Sequence, residues 1–409
     1  MSIKKEKIPI VRFRDFSEPW IKNQLSEVAE FSKGRGYSKK DLQSHGTPII
    51  LYGRLYTNYE SVISNVETYA NLEENSVVSE GGEVIIPASG ESADDISRAS
   101  CVIDRGIILG GDLNIVRPHE YLNSLFIAIT LSNGSQQREL SKRAQGKSVV
   151  HLHNSDLKSV KLFYPSYEEQ TAIGSLFRTL DDLLASYKDN LANYQSLKAT
   201  MLAKMFPKAG QTVPEIRLDG FEGEWKVKEL GDVVEFYSGL TYKPSDVVLS
   251  GTLVLRSSNV RDGELIYKDN VFVNPDIVNC QYVKLGDIVV VVRNGSRDLI
   301  GKHALIKSEM PNTVIGAFMT GVKSDRPEFV NALLDTKVFV SEINKNLGST
   351  INQITTGNFK RMKFSFPTKE EQQAIGAYFS NLDNLIAAHQ EKISQLETLK
   401  KKLLQDMFI

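Results

Sequence analysis

Arginine, asparagine, serine and lysine gather in a few short loops of this 409-residue sequence. In the second half these are Tyr242-Lys243, Arg256-Ser257-Ser258-Asn259 and Arg293-Asn294-Gly295-Ser296-Arg297. In the first half they are Lys33-Gly34-Arg35-Gly36-Tyr37, Lys39-Lys40 and Arg54. The chemistry on offer is recognition. Arginine bonds guanine through two donors, asparagine does the same for adenine, and serine reaches phosphate or base edges. The candidate nucleic-acid contacts are therefore Arg35, Tyr37, Lys39, Lys40, Arg54, Tyr242, Lys243, Arg256, Ser258, Asn259, Arg293, Asn294 and Arg297. A solvated polar loop has the same composition, so each residue alone says little. Recurrence after strand-like runs in both halves strengthens the set.

Bond-making constellations are missing from the sequence. There is no Asp/Asn-Pro-Pro-Tyr/Phe or glycine-rich adenosylmethionine motif, and no G-x-x-x-x-G-K-S/T phosphate loop. Pro275-Asp276 lacks a following Glu-x-Lys and reads as a turn. His151 and His153 alternate as on a strand, with no carboxylate or cysteine at metal spacing. We expect no catalytic centre, no metal site and no cofactor bound by this chain.

Charge gives no independent support for a nucleic-acid partner. The net charge is −1, and residues 1–164 hold 20 basic and 20 acidic groups against 20 and 19 in residues 207–366. A DNA surface must then come from sorting charge onto one face, or from basic partners. No apolar run approaches the ~20 residues that span a bilayer, so no membrane association is expected. Cys101 and Cys280 form no spaced pair, and a reducing cytoplasm with both thiols buried is the expectation.

What must position the loops is a repeat. Aligned without gaps, Pro165–Phe206 and Pro367–Phe408 share 17 of 42 residues. The common core is Pro-x-x-Glu-Glu-Gln-x-Ala-Ile-Gly-x-x-Phe-x-x-Leu-Asp, and both copies end Met-Phe. A second match opens each half: Pro9, Arg12, Phe16, Trp20, Leu25, Val28, Glu30, Phe31, Gly34 and Tyr37 correspond to Pro214, Arg217, Phe221, Trp225, Leu230, Val233, Glu235, Phe236, Gly239 and Tyr242. The ends of each half are alike and the middles differ.

Each repeated unit opens with proline, a helix-start residue, followed by two glutamates that favour the positive end of a helix dipole. Apolar residues then alternate at spacings of three and four. The seam is Leu180, Leu184, Tyr187, Leu191 and Tyr194 in one copy and Leu382, Ile386, His389, Ile393 and Leu396 in the other. That is coiled-coil periodicity. The next seam position is lysine in both, Lys198 and Lys400. Such a lysine either fixes register or turns its charge outward to water. A helix of about 39 residues is roughly 58 Å long, and two of them most simply pack antiparallel.

The middles mix strand-like runs (Val84–Ile86, Ile107–Leu109, Thr252–Leu255, Ile288–Val292) with helical stretches (Glu120–Leu131, Glu328–Asn346). The expected class is α+β: two globular α+β domains separated by two long antiparallel coiled-coil helices, in a pseudo-two-fold internal repeat. The expected boundaries are 1–164, 165–206, 207–366 and 367–409. On periodicity alone, a coiled-coil scaffold for protein assembly without DNA readout is the alternative. Two dissimilar heads on matched ends argue against it.

These motifs resemble the specificity subunits of type I restriction–modification enzymes along the whole sequence. The twice-present Pro-x-x-Glu-Glu-Gln-x-Ala-Ile-Gly…Leu-Asp helix carries the likeness, together with Pro214-x-Ile216-Arg217-Leu218…Phe221…Trp225…Leu230-Gly231-Asp232-Val233. The first half departs slightly, with Arg14-Asp15 for Asp219-Gly220 and Ser26-Glu27 for Gly231-Asp232. The resemblance implies two target-recognition domains, each reading one half of a split site in double-stranded DNA, and helices that set the gap between the halves. It implies two methylation subunits and restriction subunits as partners. Adenosylmethionine, ATP and Mg²⁺ are implied for those partners, not for this chain.

Overall fold

A computed structural model of the chain describes residues 8–146, 149–347 and 352–408. It divides into two compact units: Met1–Lys188 with Glu391–Ile409, and Asp189–Gln390. Both divisions fall inside long helices, Tyr167–Met205 and Lys369–Asp406. Each unit therefore holds one α+β domain, the first half of the helix that follows it and the last part of the other helix.

The two domains share one frame. In the first, strand Ile21–Gln24 pairs antiparallel with Lys161–Tyr164, just ahead of the helix. In the second, Lys226–Glu229 pairs the same way with Lys363–Phe366. The main sheet of the first domain runs Ala29–Lys33, Leu113–Pro118, Glu83–Pro87, Ser100–Val102, Val62–Ile63. That of the second runs Glu235–Ser238, Met319–Lys323, Ile288–Val291, His303–Leu305. Each domain adds a second sheet containing a parallel pair, Ile49↔Ile108 in one and Leu253↔Thr313 in the other. Continuous β-branched runs such as Ile288–Val291 are wholly buried, as expected of strands covered on both faces.

The repeated residues explain the frame. Arg12 donates from Nε and Nη2 to the two oxygens of Glu169, both at 2.7 Å. Arg217 does the same to Glu371 at 2.8 and 2.7 Å. Both glutamates are buried, where a two-point arginine contact offsets the desolvation of the carboxylate. Gln170 and Gln372 each donate to the carbonyl of the repeated proline, at 2.9 and 3.0 Å. The prolines themselves lie two residues before the first helical residue. Ser166 and Thr368 hold the capping place, their hydroxyls accepting from Glu169 N and Glu371 N at 3.4 and 3.3 Å. Proline is therefore not the first helical residue, because a hydroxyl can accept an orphan N–H and a pyrrolidine ring cannot.

Burial along both helices follows the seam. Leu180, Leu184, Leu382 and Leu396 are buried, while Tyr187, Leu191, Tyr194, Ile386, His389 and Ile393 are half-buried. Within each unit the partners run antiparallel. In the first, Lys188 pairs with Glu397 at 2.7 Å and Lys400 with Asp181. In the second, Tyr194 meets the His389 ring edge-on at 5.1 Å, and Lys198 Nζ lies 2.7 Å from both Asp383 and Asp335. The seam lysines do not turn outward to water. Lys198 and Lys400 occupy equivalent positions, as do Asp383 and Asp181, so one ion pair recurs in both units.

The repeated Met-Phe ending also gains a reason. Phe408 packs on Phe126 and Phe177 in the first unit, at centroid distances of 5.9 and 5.8 Å. Phe206 packs on Trp225, Phe329 and Phe379 in the second, at 5.9, 5.6 and 6.0 Å. The end of each helix thus completes the core of the unit built on the other domain.

Two expectations are corrected. Glu328–Asn346 is not one helix: Pro327–Leu334 and Lys337–Asn346 are separated at Asp335-Thr336. The Thr336 hydroxyl caps the second helix, accepting from Phe339 N at 3.2 Å, which leaves Asp335 at the break to receive Lys198. Cys101 is buried, and burial pushes its thiol up to about 12. Cys280 is only half-buried, because the short segment around it covers a small satellite cluster rather than the main core.

Candidate nucleic-acid interface

In each domain the loops that leave the sheets at one edge are tied together by backbone hydrogen bonds. In the first, Arg35 N donates to Leu109 O at 3.2 Å, Gly111 N to Gly36 O at 2.8 Å, Gly110 N to Ile50 O at 2.9 Å and Ala88 N to Asp112 O at 2.9 Å. In the second, Leu240 N donates to Ile315 O at 2.7 Å, Gly316 N to Leu255 O at 2.9 Å and Val292 N to Phe318 O at 3.0 Å. The matched glycines make this approach possible. A Cβ at Gly34 would lie 1.8 Å from Gly110 O, and one at Gly239 would lie 2.1 Å from Gly316 O. No side chain fits there.

The edge gathers the candidates but does not leave them all accessible. Arg35, Lys39 and Lys40 are exposed in the first domain, the two lysines in a turn capped by Ser38. Lys243, Ser258, Arg293 and Arg297 are exposed in the second. Arg297 reaches Asn344 O weakly, at 3.4 Å.

The others have internal partners. Tyr37, with φ of +60°, donates its hydroxyl to Asn71 O at 2.8 Å and shares a hydrogen bond with Ser76 at 2.5 Å. Arg54 bridges Glu60 and Asn65 O at 2.6 and 2.7 Å. Arg256 donates to Asp269 O at 2.6 Å. Asn259 is wholly buried; its Oδ1 accepts Arg256 N at 3.0 Å, and its amide donates to Ile266 O at 3.0 Å. Asn294 donates to Ser257 Oγ at 2.9 Å and accepts Ser296 N at 3.0 Å. Tyr242 packs on the satellite cluster. Tyr37, Arg54, Arg256, Asn259 and Asn294 therefore shape the loops.

Residue types alone did not single out Phe318. It is 52% exposed at the same edge, with the Arg293 guanidinium 5.0 Å from its ring centroid. An aromatic between the small residues Gly316-Ala317 and the strand Met319–Lys323 was the available signal. Pro275–Ile277 is a short capped 3₁₀ turn, with Asn274 Oδ1 accepting Asp276 N at 3.1 Å. Among the described residues no helix is long and apolar enough to cross a membrane.

The chain is similar to proteins of one known family. The sequence model described as "Type I restriction modification DNA specificity domain" matches twice, over residues 17–193 and 222–398. The type I restriction enzyme MjaVIII specificity subunit of Methanocaldococcus jannaschii is 22% identical over 407 residues, 95% of this chain and 91% of that one. The putative type I restriction enzyme MjaX specificity subunit of the same organism is 23% identical over 321 residues, covering 73% and 70%. Among solved structures, the S subunit of a type I restriction–modification system from M. genitalium superposes with a TM-score of 0.65 at 15% identity, covering 98% of this chain and 99% of that one.

Proposed function

Because the chain belongs to the family of type I restriction–modification DNA specificity domains, we propose that it is the non-catalytic, DNA-sequence-reading subunit of such an enzyme. Each domain reads one half of a bipartite site in double-stranded DNA through the loop edge described above. One observation carries this reading: the frame repeats while the exposed edge does not. Arg35, Lys39 and Lys40 stand on one edge, and Lys243, Ser258, Arg293 and Arg297 on the other. A scaffold needs no second, different edge; a reader of two different half-sites does.

Two methylation subunits and the restriction subunits are the proposed partners, and a cytoplasmic location follows from them. Adenosylmethionine, ATP and Mg²⁺ belong to those partners, so this chain contributes recognition and positioning only. The joining helices set the unspecified gap. Four residues inserted after Leu191 add about one turn, ~5.4 Å, and should lengthen the gap by about one or two base pairs at ~3.4 Å each.

The deciding experiment replaces residues 10–160 with the corresponding domain of another family member and maps the methylated sites of the assembled enzyme. One half-site should change while the other stays. A change in both would overturn the division of labour between the domains.

A further inference from the structure

We propose that Phe318 positions Arg293 to bond one guanine in the half-site read by the second domain, making that base pair a fixed letter of the site. This rests on the DNA reading above and goes beyond it by assigning a base to a residue pair.

The two side chains leave one backbone tie. The N–H groups of Val292 and Arg293 both donate to Phe318 O, at 3.0 and 3.2 Å, so the ring and the arginine start from fixed neighbouring points. The guanidinium carbon then lies 5.0 Å from the ring centroid. Among the described residues the Arg293 guanidinium has no hydrogen-bond or ion-pair partner, whereas Arg54 and Arg256 are engaged by Glu60, Asn65 and Asp269. An aromatic ring beneath a guanidinium occupies its face and leaves the in-plane N–H donors free. It also removes rotamer freedom before binding.

A phosphate needs only charge and is served by a flexible point charge such as a lysine ammonium. A planar fork held in one orientation suits a planar pair of acceptors, and guanine presents N7 and O6 in the major groove. In the first domain the corresponding loop, Gly110-Gly111-Asp112, has no aromatic residue, so the assignment concerns the second half-site only.

The test uses the complex purified with its methylation subunits, selected against duplexes with both half-sites randomised and then sequenced. The native complex should select a G·C pair in the second half-site. Arg293→Ala should lower the preference for that pair about 10- to 100-fold. Phe318→Ala should lower it about 2- to 5-fold at the same position, and Phe318→Tyr should keep it. The first half-site, read in the same sample, reports that the protein is folded. If Phe318→Ala weakens all sequences equally, Arg293 is a phosphate contact and the inference is overturned. Unchanged preference in both Ala variants overturns it as well. A native complex that selects no sequence overturns the DNA reading itself.

Discussion

The two units carry the same ion pair in different surroundings. In the first, Lys400 meets Asp181, whose other oxygen accepts Ser61 Oγ at 2.8 Å. In the second, Lys198 meets Asp383 and also Asp335, and His303 Nε2 lies 3.3 Å from Asp335. The residue that follows the equivalent helix in the first domain is Ser132, which donates to Ala128 O at 2.8 Å. A repeat can thus hold its register contact constant while one copy gains a second carboxylate and the other a neutral hydroxyl. The constant part lies on the matched helices; the variable part comes from the divergent domains.

The largest effect should come from the exchanged phenylalanines. Phe408→Ala should destabilise the first unit and Phe206→Ala the second, each by roughly 3–5 kcal/mol, the usual cost of removing a buried ring. Trp20 and Trp225 are buried at equivalent positions, one in each unit. Single-tryptophan variants made with Trp20→Phe or Trp225→Phe therefore follow the units separately in urea. If Phe408→Ala shifts the Trp225 transition as far as that of Trp20, the assignment of each helix end to its unit fails.

Next come the lysines, where the units should differ. Lys198→Met leaves Asp335 and Asp383 facing each other without a cation between them, at a cost of about 3 kcal/mol. Lys400→Met leaves one carboxylate that keeps its serine, at roughly 1–2 kcal/mol. The same tryptophan reporters measure both. Equal losses would mean that the added carboxylate has no weight, and the contrast between the units would collapse.

Much of the frame was legible because it is written twice. The helices, their seam and the opening motif all rest on matched residues, and periodicity survives divergence. The partners of Lys198 and Lys400 were not legible. Each lies more than a hundred residues away in sequence, and a seam position does not say what stands across it. The loops were legible as a group but not residue by residue. Asn259 and Arg293 have equally suitable chemistry for base contact. Asn259 is buried and bonded to its own turn, whereas Arg293 stands exposed over an exposed ring. Residue type does not reveal whether a polar group has already found a backbone partner, because Asn and Arg serve turns as readily as ligands.

One further contribution of the second unit is one that acid should remove. Burial works to raise the Asp335 carboxyl, but the His303 ring, with Nε2 3.3 Å away, and the charge of Lys198 outweigh it and hold the group at about 2. Its ordinary value is 3.8. A carboxylate depressed in the folded state stabilises the fold at pH above its unfolded value, and that contribution disappears as pH falls through the folded value. The difference is worth about 2 kcal/mol at neutral pH, and it should fade between pH 4 and 2. Asp383 works the other way. Burial raises its carboxyl, Lys198 opposes this and the Asp335 charge adds to it, so protonating Asp383 relieves the unit and makes the native acid response shallower. Asp335→Asn should therefore lower the urea midpoint of the Trp225 transition at pH 7 and change it progressively less towards pH 2, leaving the Trp20 transition in place. A deficit that stays constant across that range would show that Asp335 serves as a neutral helix-break residue, and that the second unit gains nothing from its extra charge.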